Sequence, residues 1–251
     1  MNPSGNTILI TGGGSGIGRA LAEALHALDN RVIIAGRRRE ALEATTAANP
    51  GMASLTLDVE DPAAIRAFAR EVTAAHPALN VLVNNAGIMR AENLEAQPEH
   101  LGDAEAMVTT NLLGPIRLIA ALLPSLQKQP RSTIINVSSG LAFVPLALTP
   151  TYSATKAALH SYTQALRHQL KGTSTEVIEL VPPGVQTDLM PGSATNPQMM
   201  PLAEFTAEVI SLLKARPDAP EICVERVKFL RLAEASGCFD ATFEALNQPH
   251  R

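Results

Sequence analysis

The sequence predicts an α/β fold: a single domain over residues 1–251, built on one doubly wound parallel sheet of six or seven strands flanked by helices and followed by a helical C-terminal tail. Three observations predict it. Short apolar runs alternate with amphipathic helical stretches along most of the chain. The first run ends on a glycine-rich turn that opens the first helix, TGGGSGIG at residues 11–18. The 251 residues contain no low-complexity tract and suffice for one large core. Composition narrows the function classes. With 46% hydrophobic and 18% charged residues the chain is not disordered. A net charge of −4, with Arg37-Arg38-Arg39 the only tight basic run, argues against nucleic acid. Cys223 and Cys238, like His26, His76, His100, His160 and His168, lack ligand spacing, so no metal is expected. Met1 to Asn6 carries no leader signature and no stretch reads as the ~20 apolar residues of a membrane span. The expectation is a cytoplasmic protein with reduced thiols and no membrane insertion.

Asn6–Thr11 (NTILIT) is the first strand, and Ala20, Leu21, Ala24, Leu25 and Leu28 recur at helical spacing behind the glycines. Glycines allow strained angles and a close approach of backbone to pyrophosphate, and the N–H groups at a helix start attract the anion. A P-loop fails, because Arg19 and Ala20 stand where Lys and Ser/Thr are needed. Arg31–Gly36 (RVIIAG) is the second strand. At its end an acid would grip the ribose 2′-hydroxyl of NAD; Gly36 is there instead, and arginines follow. Planar cations suit a 2′-phosphate, so the cofactor expected is NADP(H) in preference to NAD(H), with Arg37 the first candidate and Arg38 the next.

Ser54–Val59 (SLTLDV) is the third strand, and Asp61-Pro62 reads as an N-cap with proline at N1. Asp58, at the strand's C-terminal end, can meet an adenine or stabilise a turn. Val81–Val83 leads into Asn84-Asn85-Ala86-Gly87, where Asn84 reads as structural and Ala86-Gly87 as a close approach to cofactor. A long apolar helix is expected from about Asp103 to Gln127, irregular beside Gly114-Pro115; Asn111 within it can bind backbone or help to hold a water. Thr133–Val137 is the fifth strand, ending in Ser138-Ser139, and an apolar loop (GLAFVPLALT, 140–149) runs from there to a further helix.

That helix opens with Tyr152-Ser153-Ala154-Thr155-Lys156, a phenol and an ammonium one turn apart on one face. A nearby cation favours phenolate and so suits tyrosine to acid/base work, although the same spacing fits a plain surface helix. Glu176–Val181 is the sixth strand, closing on Pro182-Pro183-Gly184-Val185-Gln186-Thr187, a wall for a nicotinamide. Residues 188–205, rich in proline and methionine, read as a substrate lid. From Ala219 the spacing of Ile222, Val224, Val227, Leu230, Phe239, Phe243 and Leu246 reads as helix, a C-terminal extension over 219–251. Leu141, Phe143, Val144, Leu146, Met190, Met199 and Met200 line an apolar pocket or simply pack the core.

Ser139, Tyr152 and Lys156, with Asn111 and the TGGGSGIG turn, resemble the short-chain dehydrogenase/reductase (SDR) family in its classical form, from Asn6 to about Thr187. The helical tail and the run SSGLAFVPLALTPTYSATKAALHSYTQALR are similar to a bacterial subgroup labelled DltE-like. The resemblance implies a Rossmann fold and an oxidoreductase that moves a hydride between nicotinamide and a carbonyl or secondary alcohol. Tyr152 is then the general acid/base, Ser139 steadies the substrate oxygen, Lys156 lowers the tyrosine pKa and binds ribose, and Asn111 holds a relay water. It assigns the cofactor to Gly12, Ser15, Gly16, Ile17, Gly18, Arg37, Asp58, Val59, Asn85, Ala86, Gly87, Gly184, Val185 and Thr187, beside Tyr152 and Lys156; the reading of the basic run and of the last strand end adds Arg38 and Pro183. It also implies a small-molecule substrate and a homodimer or homotetramer. Classical members end in a seventh strand, which the helical reading from Ala219 puts in doubt. The rival readings are a catalytically silent NADP-binding regulator and an epimerase or dehydratase; the latter needs more chain after the sixth strand than this sequence has.

Overall fold

The computed structural model describes residues 1–96 and 101–248. In chain order the elements are β1 (Thr7–Thr11), α1 (Gly16–His26), β2 (Arg31–Gly36), α2 (Arg39–Ala48), β3 (Ala53–Thr56), α3 (Pro62–Ala75) and β4 (Leu79–Asn84). They continue with α4 (Gly102–Val108), α5 (Gly114–Leu126), β5 (Ser132–Val137), α6 (Pro150–Gln169), β6 (Thr175–Val181), α7 (Leu202–Ala215), β7 (Glu221–Cys223), α8 (Lys228–Arg231) and α9 (Phe239–Asn247). The strands form one parallel sheet in the order β3-β2-β1-β4-β5-β6-β7. The strand order reverses between β1 and β4, and in such sheets ligands bind at the carboxyl ends beside that reversal.

Both faces of the sheet are covered, which is why β1 is buried along its whole length. On one face Leu21, Ala22 and Leu25 of α1 pack with Phe205, Val209 and Leu213 of α7. On the other, α3, α5 and α6 contribute Ile65, Phe68, Leu118, Leu122 and Leu166. Asp61 caps α3 by accepting from Ala63 N at 2.7 Å, with Pro62 at N1, as the sequence predicts.

Four expectations are corrected. The third strand spans Ala53–Thr56 rather than running to Val59. Asp58 Oδ1 takes the Glu60 N–H at 3.0 Å, and this local turn draws the chain out of the ladder. The region read as helix from Ala219 begins as a seventh strand, pairing Glu179 with Glu221, Leu180 with Ile222 and Val181 with Cys223. Ile222 and Val224 alternate into the core, and three residues are too few for a period of two to register. A 3-10 turn, Glu225–Val227, follows, and α-helix starts at Lys228. The last part of the segment read as lid, 202–205, is the first turn of α7, with Phe205 fully buried. Finally, Gly102–Leu126 does have the length and mean hydropathy, 1.6, of a candidate membrane span. Here one face of it, including Met107, Leu118, Ile119 and Leu122, lies buried in the protein core. The irregularity expected beside Gly114 is present as a π turn, Thr109–Leu113, that joins α4 to α5.

Candidate active site

At the carboxyl end of β1 the chain turns sharply. Gly12 and Gly16 adopt φ of +70° and +52°, a region side chains avoid. Gly12 and Gly13 both donate N–H to Ala35 O, at 2.7 and 3.3 Å. A Cβ on Gly18 would lie 2.4 Å from both Asn85 Nδ2 and Gly12 O, so only glycine lets α1 start this close to the turn. Ser15 caps α1 in extended conformation without using its side chain on the helix; its Oγ accepts instead from Arg38 at 2.7 Å. The first N–H groups of α1 remain available for an anion.

Around this turn β4 supplies the second wall. Thr11 Oγ1 accepts from the N–H groups of Asn85 (3.0 Å) and Ala86 (3.1 Å), and Asn85 Nδ2 donates to Thr11 O at 2.9 Å. The Asn85 amide therefore ties strand ends together. Asn84 is structural as expected, donating to Asn136 in the core. Arg37, exposed, pairs with Glu60 at 3.1 Å, and Thr110 donates to the same carboxylate at 2.8 Å. Of the two arginine candidates it is Arg38 that touches the glycine turn. Asp58 is engaged in its turn with Glu60, and Val59 is buried beneath Gly114.

The opposite wall comes from β5, β6 and α6. Ser139 caps a short 3-10 turn, its Oγ accepting from Leu141 N at 3.1 Å, and Gly140 N donates to Pro182 O. Beyond Pro183, Met200 N donates to Gly184 O at 2.8 Å and Gln186 N to Met200 O at 2.9 Å. These bonds pinch 187–199 into a closed loop, and they set Thr187 3.4 Å from where a Cβ on Gly16 would stand. Loop and glycine turn thus face each other. Val144 and Met200, read as pocket or core, are core; Leu141, Leu146, Met190 and Met199 are half-buried, Met199 against Gly184.

Tyr152 and Lys156 are both buried, 6% and 5% exposed, which rules out surface decoration. Lys156 Nζ donates to Val137 O at 2.8 Å and lies 5.6 Å from the Tyr152 ring centre. Burial pushes the Tyr152 phenol up to about 12, opposed by a hydrogen bond with Ser139. Burial also brings the Lys156 ammonium down to about 8, opposed by the charge of Glu179. Desolvation sets the direction, opposite to the lowering by Lys156 that the resemblance implies, so Tyr152 holds its proton at neutral pH. Asn111, in the π turn, clamps the chain after β4: its Oδ1 accepts from Ile88 N and its Nδ2 donates to Ile88 O, both at 2.8 Å. Nδ2 also reaches Thr155 Oγ1 at 3.3 Å, tying the turn to α6. The Asn111 amide thus binds backbone, one of the two readings its position allowed.

The family of this fold can now be stated. A family model described as "short chain dehydrogenase" matches residues 6–198. The chain belongs to the short-chain dehydrogenase family. It is similar to the Bacillus subtilis (strain 168) protein named "Uncharacterized oxidoreductase DltE", 40% identical over 249 residues, which are 98% of each chain. Dehydrogenase/reductase SDR family member 7B of Bos taurus is 31% identical over 75% of this chain and 60% of its own length. Among solved structures, a short-chain dehydrogenase from Streptomyces avermitilis superposes with a TM-score of 0.81 at 28% identity over 96% of both chains. The closed form of serine dehydrogenase complexed with NADP+ gives 0.77 at 26% identity, over 86% of this chain and 93% of that one. The protein is accordingly a short-chain oxidoreductase that acts on a small molecule with a nicotinamide cofactor. The glycine cradle, where added Cβ atoms would collide, fits such a dinucleotide.

Sequence reasoning missed several residues that shape this short-chain dehydrogenase site. Glu92 caps α6, accepting from Thr151 N (2.9 Å) and Oγ1 (2.7 Å) beside Tyr152. Asn247 of α9 donates from Nδ2 to Pro145 O and accepts from Ala147 N, fixing the loop between Ser139 and Tyr152. Their partners are 59 to 102 residues away in sequence, so no local pattern marks them. Thr11 was within reach of the sequence, being the hydroxyl that ends β1.

Proposed function

We propose that this enzyme interconverts a carbonyl and a secondary alcohol of a small, largely apolar molecule, with Tyr152 as general acid/base and NADP(H) preferred over NAD(H). The observation that carries it is the burial together of Tyr152, Ser139 and Lys156, with Lys156 Nζ held by Val137 O and 5.6 Å from the Tyr152 ring centre. When bound, the nicotinamide supplies or takes the hydride. The chain's residues handle the proton and the position. Ser139 hydrogen-bonds the substrate oxygen; Tyr152 protonates the alkoxide as it forms, and Lys156 stabilises the phenolate that results. In oxidation the same groups run in reverse. Asn111 acts by fixing the geometry of the chain after β4 and, through Thr155, of α6.

The dinucleotide would rest on Gly12, Ser15, Gly16, Ile17 and Gly18, with Ala86-Gly87 and Pro183-Gly184-Val185 at its sides and Thr187 across from the helix start. Arg38, against Ser15, and Arg37 beside it supply the positive charge for a 2′-phosphate. The loop 187–199 serves as lid, and Leu141, Leu146, Met190 and Met199 favour an apolar substrate. The exposed Leu101 and Val108 beside Thr151 of α6 mark the face for a dimer contact, and β7 supplies the sheet edge for a tetramer. Two free cysteines suit the reducing cytoplasm.

A screen of NADPH oxidation over a carbonyl panel, with Tyr152→Phe beside the wild type, tests the reading. The variant is expected to lose about 10³-fold or more in kcat while still binding NADPH; wild-type rates in Tyr152→Phe would remove the proton-donor role. For the cofactor, Arg38→Ala and Arg37→Ala should each weaken NADPH about tenfold more than NADH by fluorescence titration. Equal weakening of both cofactors would remove the 2′-phosphate assignment.

A further inference from the structure

Beneath α6 lies a carboxylate that none of the steps above uses. Glu179 of β6 is 1% exposed, its Oε2 lies 2.7 Å from His160 Nδ1, and its Oε1 has no partner. Gln164 Nε2 lies 3.0 Å from the other ring nitrogen of His160; an amide N–H there donates into Nε2, so Nδ1 carries the proton given to Glu179. The charge is thereby held in place. It is not thereby balanced, because a buried carboxylate with an unserved oxygen is costly unless a cation stands near.

The charged and titratable groups facing Glu179 are few. From β7 come Glu221, opposite it in register, and Cys223; from α8 comes Arg231; from α6 come His160 and Lys156. Arg231 is committed to Glu221 and lies over the Phe143 ring, while Arg167 bonds the Val177 and Pro220 carbonyls. Among the described residues Lys156 is the buried cation left. It stands one helical turn before His160 on the same face of α6, and its one protein acceptor, Val137 O, is on the neighbouring strand, where Val137 is paired with Leu180 next to Glu179. The two buried groups are coupled through space: the charge of Glu179, anchored on His160, acts on the Lys156 ammonium one turn away.

We propose that Glu179, fixed by His160, is a positioning residue whose charge keeps Lys156 an ammonium in the pH range where Tyr152 gives up its proton. The inference rests on the proton-donor reading of Tyr152. Its direction follows from the site: desolvation draws the lysine toward the neutral amine, which cannot stabilise a phenolate, and a carboxylate behind it opposes that loss. Reduction then requires a charged Lys156, and its rate falls as pH rises through the lysine's titration. Without Glu179 that fall comes earlier.

Two measurements on the full chain test this. Competitive acetylation of Lys156 with acetic anhydride, read by peptide mass spectrometry from about pH 6 to 11, follows the amine without any turnover. Glu179→Gln should shift the midpoint down by about one pH unit, so that Lys156 labels about fivefold faster at neutral pH. His160→Gln, which keeps the carboxylate, should move it much less. An unmoved midpoint in Glu179→Gln, or an equal shift in His160→Gln, would overturn the proposal. Should Glu179→Gln not fold, Glu179→Met removes the charge with an apolar side chain of similar length and carries the same expectation. In the second measurement, the alkaline limb of kcat for carbonyl reduction should move to lower pH in Glu179→Gln. A profile scaled down with its limb unmoved would signify a merely structural role and defeat the idea. The two readings fail separately: a shifted labelling midpoint in a protein inert to every carbonyl would refute the reaction while sustaining the counter-charge, and an unmoved midpoint in an active enzyme would do the reverse.

Discussion

Along the β1–β4 side of the cleft the binding surface is mostly backbone: glycines in left-handed conformation, free N–H groups at the start of α1, and Thr11 stitching one strand end to the next. Along the β5–β7 side the surface is made of side chains. Tyr152, Lys156 and Ser139 stand on elements held by Glu92, Asn247, Asn111 and the apolar packing of Val144 with Leu230 and Ala233. A dinucleotide presents phosphates that any well-placed N–H can bind, so the first side needs shape alone. The proton transfer proposed for Tyr152 needs particular functional groups in particular protonation states, in a site closed to water. That site is therefore buried, and it depends on distant residues that leave it few alternatives.

Three substitutions probe that contrast, the largest effect first. Gly18→Ala should disable the backbone side, because its methyl would meet Gly12 O and the Asn85 amide at 2.4 Å. NADPH affinity is expected to fall about 100-fold or more, with roughly 1–3 kcal/mol lost in denaturant unfolding. An alanine accepted without loss would mean that the turn does not require the close approach. Lys156→Met should abolish turnover and remove one pH-dependent step in stability. The folded-state pKa is about 8 against 10.5 unfolded. Between those values the unfolded chain binds more protons and wild-type stability rises with pH, so the wild type should gain on the variant across that window in denaturant unfolding. A stability difference that stays flat from pH 8 to 10.5 would refute the desolvation account. Smallest is Asn247→Ala, which frees Pro145 and Ala147: substrate KM should rise several-fold for about 1 kcal/mol of stability, with NADPH affinity unchanged. If cofactor binding weakened equally, the two sides would not be separable in this way.

The same contrast explains what could be read in advance. The glycine turn, Asp61-Pro62 and the Tyr152–Lys156 spacing are local patterns, and the structure places them on the elements anticipated. Even the irregular helix beside Gly114-Pro115 was marked by its own residues, and it appears as the π turn holding Asn111. The short strand β7 was lost because only pairing with β6 makes three residues a strand, while the same apolar positions also fit a helical spacing. The sequence put Arg37 ahead of Arg38; folding sends Arg37 to Glu60 and Arg38 to Ser15.

By itself the sequence determined the alternation of strand and helix, the turn that only glycine can make, and the placing of Tyr152 and Lys156 one helical turn apart, because these depend on backbone sterics and spacing over a few residues. Tertiary structure alone decided the state of those residues. Whether Tyr152 holds its proton, and what charge stands behind Lys156, depend on burial and on Glu179 and Ser139, which reach the site from other strands. Desolvation and Coulomb energy act through space, and the chain has to fold before they act at all.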